Sequence, residues 1–164
     1  MKKIKEADNG YISLDVQTND SDYWLSSISY ISATKFIDNK ITDNLYFPIK
    51  DSVQNRSEFK QSHHKVQTFK FAYIELLKLI EDFPVVSHGV NLQKKVLEHY
   101  CNFNGLTLFE NIWICTSEML WDAKNFSGNI ASCLNELNLK NNLHQDIYLQ
   151  NTSNISNIYK RLIN

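Results

Sequence analysis

Asp15 and Gln17 end the apolar segment YISLDVQ and place a carboxylate beside an amide. Many metal sites use two acids in such a position, because hard divalent cations prefer anionic oxygen ligands. His88, Gln93 and Cys115 follow or end two further apolar segments. Since the ends of strands converge in an open α/β sheet, we expect these side chains to lie close to one another.

Taken singly, these residues also have ordinary structural roles. Asp15 is as compatible with closing a turn as with function, and a histidine such as His88 more often serves as a hydrogen-bonded structural residue than as a ligand. The functional interpretation therefore depends on the elements that position the residues and on the pattern that they form together.

Three β-strands are predicted at the start of the chain. The segment from Tyr11 to Val16 is apolar and β-favouring, and YWLSSISYISATKF partly alternates between apolar and polar residues. Asp38 and Asn39 form a turn pair before NLYFPI continues as a third strand. These features predict an antiparallel meander.

Two amphipathic helices and two short buried strands are predicted to follow. QTFKFAYIELLKLIEDF and NLQKKVLEHYCNFNG have apolar residues at helical spacing, and Gly105 ends the second of these helices. The short apolar segments PVVSH and NIWICT are typical of buried strands. The predicted buried faces consist of Phe69, Ala72, Tyr73, Leu76, Leu77 and Ile80 in the first helix and of Leu92, Val96, Leu97 and Tyr100 in the second.

The rest of the chain is predicted to form helices joined by Asn-rich loops. SEMLWDA, NIASCLNELN and NTSNISNIYKRLI carry the helical patterns, and Ser153 or Asn154 is the candidate N-cap of the last helix. Together the elements predict a single α/β domain over residues 1–164 with a mixed sheet.

The composition excludes several classes of protein. The 164 residues are 43% hydrophobic and 12% aromatic, with 2 Pro and 4 Gly, which excludes a disordered or fibrous chain. The net charge of -1 provides no global basic field for non-specific nucleic-acid binding. The 3 cysteines have no C-x-x-C spacing and no apolar run reaches membrane-spanning length, so we expect reduced, buried thiols in a cytoplasmic protein without a membrane partner.

The order of these segments resembles the DnaQ-like 3′–5′ exonucleases of the DEDDh type, which include proofreading subunits, RNase T and oligoribonuclease. YISLDVQTND lies where that family has a strand ending in D-x-E-T-T-G, and PVVSHGVNLQKKVL is similar to V-x-H-N-x-x-F-D-x-x-F-L. LHQDIYLQNTSNISNIYKRL resembles H-x-A-x-x-D-A followed by the last helix. The resemblance covers almost the whole chain and implies a ribonuclease H-like exonuclease fold, with a mixed five-stranded sheet flanked by helices.

In that family, four carboxylates hold two divalent metal ions that orient a water and polarise the scissile phosphate, while a histidine acts as general base. The resemblance matches Asp15 to the first acid and places Gln17, Gln93 and Leu149 at the positions of the other three. It matches His144 to the catalytic histidine. Because an amide has no charge and leucine has no donor atom, it implies that Mg²⁺ binds very poorly, with Asp15 as the one remaining metal ligand.

Other acids offer little replacement for the missing ligands. Asp20 and Asp22 follow the first strand, and Glu98 lies further along the second predicted helix. Asp146 is the best placed, because it precedes Leu149 by three residues and shares a helical face with it. A rescued site would have to regain several ligands at once.

The resemblance also implies a groove for single-stranded nucleic acid, in which bases stack on aromatic side chains and phosphates meet basic ones. Trp24 has an alternative role in the core, and paired lysines usually form a solvated helix face. The candidate contacts are Thr18, Tyr23, Trp24, His64, His88 and Lys94.

The sequence leaves three functional hypotheses open. The first, which leans away from enzyme activity, is a catalytically degenerate exonuclease-like domain that needs no cofactor and binds a single-stranded nucleic-acid 3′ end or a protein partner. The second is an active but atypical 3′–5′ exonuclease that uses Mg²⁺ or Mn²⁺ on DNA or RNA. The third is a protein-interaction or immunity-like regulatory subunit. Some branches of the family form homodimers, which adds a homodimer to the expected partners.

Overall fold

The structure, a computed structural model, describes residues 10–18, 27–50, 65–141 and 149–164. Within these ranges the chain forms strands and helices that agree with the predicted order of elements. In chain order they are β1 (Tyr11–Thr18), β2 (Ile28–Ile37), β3 (Lys40–Pro48), α1 (Phe69–Ile80), β4 (Val85–Ser87), α2 (Val90–Phe103), β5 (Trp113–Cys115), α3 (Thr116–Lys124), α4 (Ile130–Glu136) and α5 (Gln150–Ile163).

The strands form one mixed sheet with the order β3-β2-β1-β4-β5. β1 pairs antiparallel with β2 and parallel with β4, and β4 pairs parallel with β5. Asp38 and Asn39 connect β2 to β3 with φ angles of 50° and 63°, which is the left-handed conformation that a tight hairpin turn requires. The predicted α/β fold with a mixed five-stranded sheet is confirmed.

Alternate residues of β1 face two different layers of helices. One face of β1 packs with α1 and α2 in the larger apolar cluster of the core, through Ile12, Leu14 and Val16. The other face meets α5, where the ring of Tyr11 packs edge-on against Tyr159 with centroids 4.9 Å apart. Asp15 lies on this second face, so α5 is the helix that covers it.

Three local predictions were wrong. Leu77 is 38% exposed, and Leu79 replaces it in the buried stripe of α1 because it lies three residues after a buried leucine. Leu92, in the first turn of α2, is 45% exposed. Ser153 and Asn154 lie inside α5 and do not cap it, because the helix begins earlier, at a first turn that hydrogen-bonds to the sheet.

Other expectations agree with the structure. Cys101, Cys115 and Cys133 are buried free thiols. Gly105 directly follows the C-cap of α2 and has a φ of 65°, as expected of a residue that stops a helix. None of the helices in the described ranges is both long enough and apolar enough to cross a membrane.

Candidate functional site

The candidate site lies where β1 extends past the end of β4. The two strands pair in parallel as far as Ser13 and Val86, and β4 then ends at Ser87. The last backbone groups of β1 on this side therefore need partners other than β4. Ser87 Oγ provides one of them by donating a hydrogen bond of 2.8 Å to the carbonyl of Leu14.

Gln93, near the start of α2, provides the next partner for β1. Its Oε1 accepts a hydrogen bond of 3.2 Å from the backbone N–H of Val16, and its Nε2 donates one of 3.0 Å to the carbonyl of His88. Both ends of the amide are used, and the residue is 7% exposed. Since a carboxylate can accept from Val16 but cannot donate to His88, the geometry at this position suits an amide.

Asp15 is buried beside two hydrogen-bond donors. Its Oδ2 accepts a bond of 3.0 Å from Tyr30 Oη on β2 and one of 2.9 Å from Asn151 Nδ2 in the first turn of α5. Asn151 Nδ2 also lies 3.3 Å from Tyr30 Oη, so the three groups contact one another. We refer to Asp15, Tyr30 and Asn151 together as the Asp15 triangle.

Burial makes the charge of Asp15 costly. Burial raises the pKa of this carboxyl above its ordinary value. The hydrogen bonds from Asn151 and Tyr30 and the electrostatic effect of His88 lower this pKa, but by less than burial raises it. Burial also raises the pKa of Tyr30, and the adjacent Asp15 raises it further by a smaller amount. Tyr30 therefore remains a neutral hydrogen-bond donor to the carboxylate at physiological pH.

Tyr30→Phe is expected to lower the free energy of unfolding by about 1–2 kcal/mol, because a buried carboxylate loses one of its two donors. In an Asp15→Asn background the same change should cost about half as much, since the bond no longer involves a charge. Urea unfolding of the four proteins measures both costs. Equal costs in the two backgrounds would show that the bond is not charge-assisted.

Hydroxyl groups hold α5 on the sheet next to the Asp15 triangle. The contacts are Tyr11 Oη to Ser156 Oγ (2.7 Å), Ser13 Oγ to the carbonyl of Thr152 (2.7 Å) and Thr34 Oγ1 to Thr152 Oγ1 (2.8 Å). All of these atoms belong to buried residues. The contacts therefore fix the rotation of α5 about its own axis and its position along β1 and β2. They bring Asn151, which immediately precedes Thr152, against Asp15.

His88 is bonded within the protein through both ring nitrogens. Nε2 lies 2.7 Å from the carbonyl of Gly128, and because a carbonyl can only accept, Nε2 carries a hydrogen. Nδ1 lies 2.9 Å from Thr116 Oγ1 at the start of α3. The ring therefore ties the end of β4 to the connection between α3 and α4, and a contact with nucleic acid through either nitrogen would replace one of these bonds.

Other predicted site residues occupy separate positions. Gln17 is exposed, and its Nε2 donates a bond of 3.3 Å to the carbonyl of Thr18. Lys94 Nζ lies 5.6 Å from the centroid of the ring of Trp113, the first residue of β5. Leu149 is 5% exposed and immediately precedes α5. The structure does not describe four of the predicted site residues, Tyr23, Trp24, His64 and His144, or three of the alternative acids, Asp20, Asp22 and Asp146. The fourth alternative acid, Glu98, is exposed on α2.

The described residues do not fit a two-metal centre. Asp15 is the one carboxylate that they bring to the site, and its Oδ2 already accepts two side-chain hydrogen bonds. Gln93 has both ends of its amide in use, and Leu149 has no side-chain oxygen. Across the described ranges, no group of three or more His, Cys, Asp and Glu side chains is arranged to hold a metal ion.

The mixed five-stranded sheet with its flanking helices matches the ribonuclease H-like fold of solved exonuclease structures, as predicted. Among solved structures, the chain is similar to a product-bound structure of exonuclease I, with a TM-score of 0.67 and 9% sequence identity over 94% of this chain and 43% of that chain. It is also similar to exonuclease X in complex with 5′-overhanging duplex DNA, with a TM-score of 0.58 and 14% identity over 91% of this chain and 89% of that chain.

These likenesses establish the fold alone, because both sequence identities are low. The chain spans less than half the length of exonuclease I. No family model matches the chain, and no curated protein matches it. The function therefore has to be inferred from the side chains at the site.

Tyr30 and Asn151 are site residues that were not predicted from the sequence. Tyr30 pairs with Gln17 in the β1–β2 register, but an isolated tyrosine in a strand pattern is typical of the core. Asn151 lies in an Asn-rich segment in which no single residue stands out. The signal that was present is the run of polar residues on one face of β1, including Ser13 and Asp15, which requires polar partners on the helix that covers it.

Proposed function

We propose that this domain is a catalytically degenerate exonuclease-like domain that binds the 3′ end of single-stranded nucleic acid without hydrolysing it. The Asp15 triangle is the observation that carries this proposal. A metal-dependent nuclease needs carboxylate oxygens that are free to coordinate cations, whereas Asp15 Oδ2 accepts hydrogen bonds from Tyr30 and Asn151. Gln93 supports the same conclusion, because its amide accepts from Val16 on β1 and also donates to the carbonyl of His88, and an ionised acid cannot make the second of these bonds.

Two further features support binding of nucleic acid. The fold is that of exonucleases, and one structure with this fold, exonuclease X, is in complex with DNA. Among the described residues, the site carries less exposed negative charge than a cluster of acids would, because Gln17 and Gln93 are neutral and Asp15 is 4% exposed. A phosphate can therefore approach this edge of the sheet without a metal ion to offset repulsion.

Fluorescence anisotropy with labelled single-stranded DNA and RNA tests the proposal. We expect at least one of the two to bind with the same Kd in EDTA and in Mg²⁺. Its binding should weaken as salt rises, and the logarithm of the association constant should fall against the logarithm of the salt concentration with a slope of about -0.7 per phosphate contacted. Binding that requires Mg²⁺ would contradict the proposal and favour an active metal-dependent exonuclease. Absence of binding to both would contradict it and favour a protein-interaction role.

A charge variant locates the bound strand within the same experiment. Gln17→Glu adds an exposed carboxylate beside the site and should weaken binding by about two- to five-fold. Asn102→Asp makes the same amide-to-acid change on an exposed residue near the far end of α2 and should leave Kd unchanged. Equal effects of the two variants would place the strand elsewhere on the protein.

A further inference from the structure

We infer that Asn151 makes this site independent of divalent metal ions, because with Tyr30 it takes the place of a cation beside Asp15. The inference deepens the proposed function and rests on it, since it concerns the same site. Its basis is the closed contact of the Asp15 triangle, in which two neutral donors reach the same oxygen of a buried carboxylate at 2.9 Å and 3.0 Å.

The chemistry of this contact excludes a cation from that side of Asp15. Because an oxygen of the ionised carboxylate can only accept, the Asn151 group that faces it is the Nδ2 amide, whose hydrogen points at Oδ2. An amide nitrogen offers no lone pair to a metal ion. Divalent cations lie about 2.0–2.6 Å from their oxygen ligands, so none fits between Oδ2 and a nitrogen 2.9 Å away.

The position of Asn151 on α5 determines which residue faces Asp15. Thr152 and Ser156 bind to the sheet through buried hydroxyl groups and fix the rotation of the helix. Leu149 immediately precedes the helix and is buried, whereas Asn151 lies in its first turn and contacts Asp15 through Nδ2. The resemblance in sequence puts Leu149 at the position of the last acid, but the side chain that reaches Asp15 is that of Asn151.

Conversion of this amide to an acid should therefore create a cation site at a place where the described residues of the wild type form none. Asn151→Asp places two carboxylates against each other, and without a cation or a proton between them they repel. Calorimetric titration with Mn²⁺ alone should show binding at least about ten-fold tighter than to the wild type. Thermal unfolding should show a Tm that rises with Mn²⁺ in Asn151→Asp and stays constant in the wild type.

Two matched variants test the geometry. Leu149→Asp adds the same charge two residues earlier and should bind Mn²⁺ no better than the wild type. The exchanged double variant, Asp15→Asn with Asn151→Asp, keeps one carboxylate and one amide in contact, and it too should show no gain. Mn²⁺ binding by Leu149→Asp as tight as that of Asn151→Asp, or an equal gain in the exchanged variant, would overturn the inference.

We expect Asn151→Asp to destabilise the fold in the absence of metal, so the variant has to be checked for folding. Circular dichroism in EDTA and in millimolar Mn²⁺ shows whether it is folded under each condition. A chain that is unfolded in EDTA should fold when Mn²⁺ is added, and a chain that stays unfolded with Mn²⁺ overturns the inference. These titrations contain no nucleic acid. If Asn151→Asp gains no affinity for Mn²⁺ while the wild type binds single strands in EDTA, the inference fails and the proposed function stands. If Asn151→Asp gains affinity for Mn²⁺ while the wild type binds no single strand in EDTA, the proposed function is refuted.

Discussion

Gln93→Glu is expected to lower the free energy of unfolding by about 2–4 kcal/mol at neutral pH. The carboxylate would keep the bond from Val16 but lose the donor to His88, so that two acceptors would face each other at a distance of 3.0 Å in a buried position. Protonation restores a donor, and the cost should therefore be smaller near pH 4 than near pH 7.

Gln17→Glu is the matched control, because it makes the same change two residues from Asp15 on an exposed side chain. We expect it to change the free energy of unfolding by no more than about 0.5 kcal/mol. Urea denaturation followed by circular dichroism measures both variants. Similar costs at the two positions would show that the amide of Gln93 does not join β1 to the end of β4.

Asp15→Asn is expected to raise the free energy of unfolding at neutral pH by about 1–3 kcal/mol. Burial raises the pKa of Asp15 in the folded protein above its value of 3.8 in an ordinary setting. Between these two pKa values the folded state holds a proton that the unfolded state has released, so stability falls as pH rises through this window. Above the folded pKa the wild type bears the whole cost of a buried charge, which asparagine removes.

The difference in stability between Asp15→Asn and the wild type should therefore be smallest below about pH 4 and largest at neutral pH. Unfolding free energies of both proteins across this range measure it, and the exposed Asp122→Asn controls for the loss of one acid elsewhere. A difference that shrinks as pH rises would mean that the hydrogen bonds from Tyr30 and Asn151 outweigh burial.

Apolar patterning was sufficient to predict the sheet and most of the helices. The strands of the meander carry β-favouring residues, and the turn pair of Asp38 and Asn39 tolerates the left-handed φ angles that the β2–β3 turn needs. Leu77 and Leu92 were misplaced because both lie at the edge of an apolar stripe, where the burial of a leucine depends on whether another element covers it.

The site was only partly predictable, for reasons that depend on distance along the chain. Asp15 lies at the end of an apolar segment, which local sequence can reveal, whereas Gln93 was singled out through the resemblance in sequence. Tyr30 reaches Asp15 through the β1–β2 register, and Asn151 reaches it from 136 residues away because α5 is fixed by its hydroxyl contacts. Neither partner can be inferred without knowing how separate elements pack.

Two amides at this site make different kinds of contact. Gln93 joins backbone groups that β4 is too short to reach, so its role is structural even though it lies at a position where the resemblance implies a metal ligand. Asn151 contacts the remaining carboxylate directly. The proposed function rests on both contacts, because each one involves a neutral amide in place of a further acid.

Incubation of 5′-labelled single-stranded DNA and RNA with an equimolar amount of the wild-type protein in Mn²⁺ tests the central claim most directly. Separation of the products by length shows whether the 3′ end is shortened. The claim of binding without hydrolysis predicts that both strands keep their full length. Stepwise shortening from the 3′ end that disappears in Asp15→Ala would contradict it.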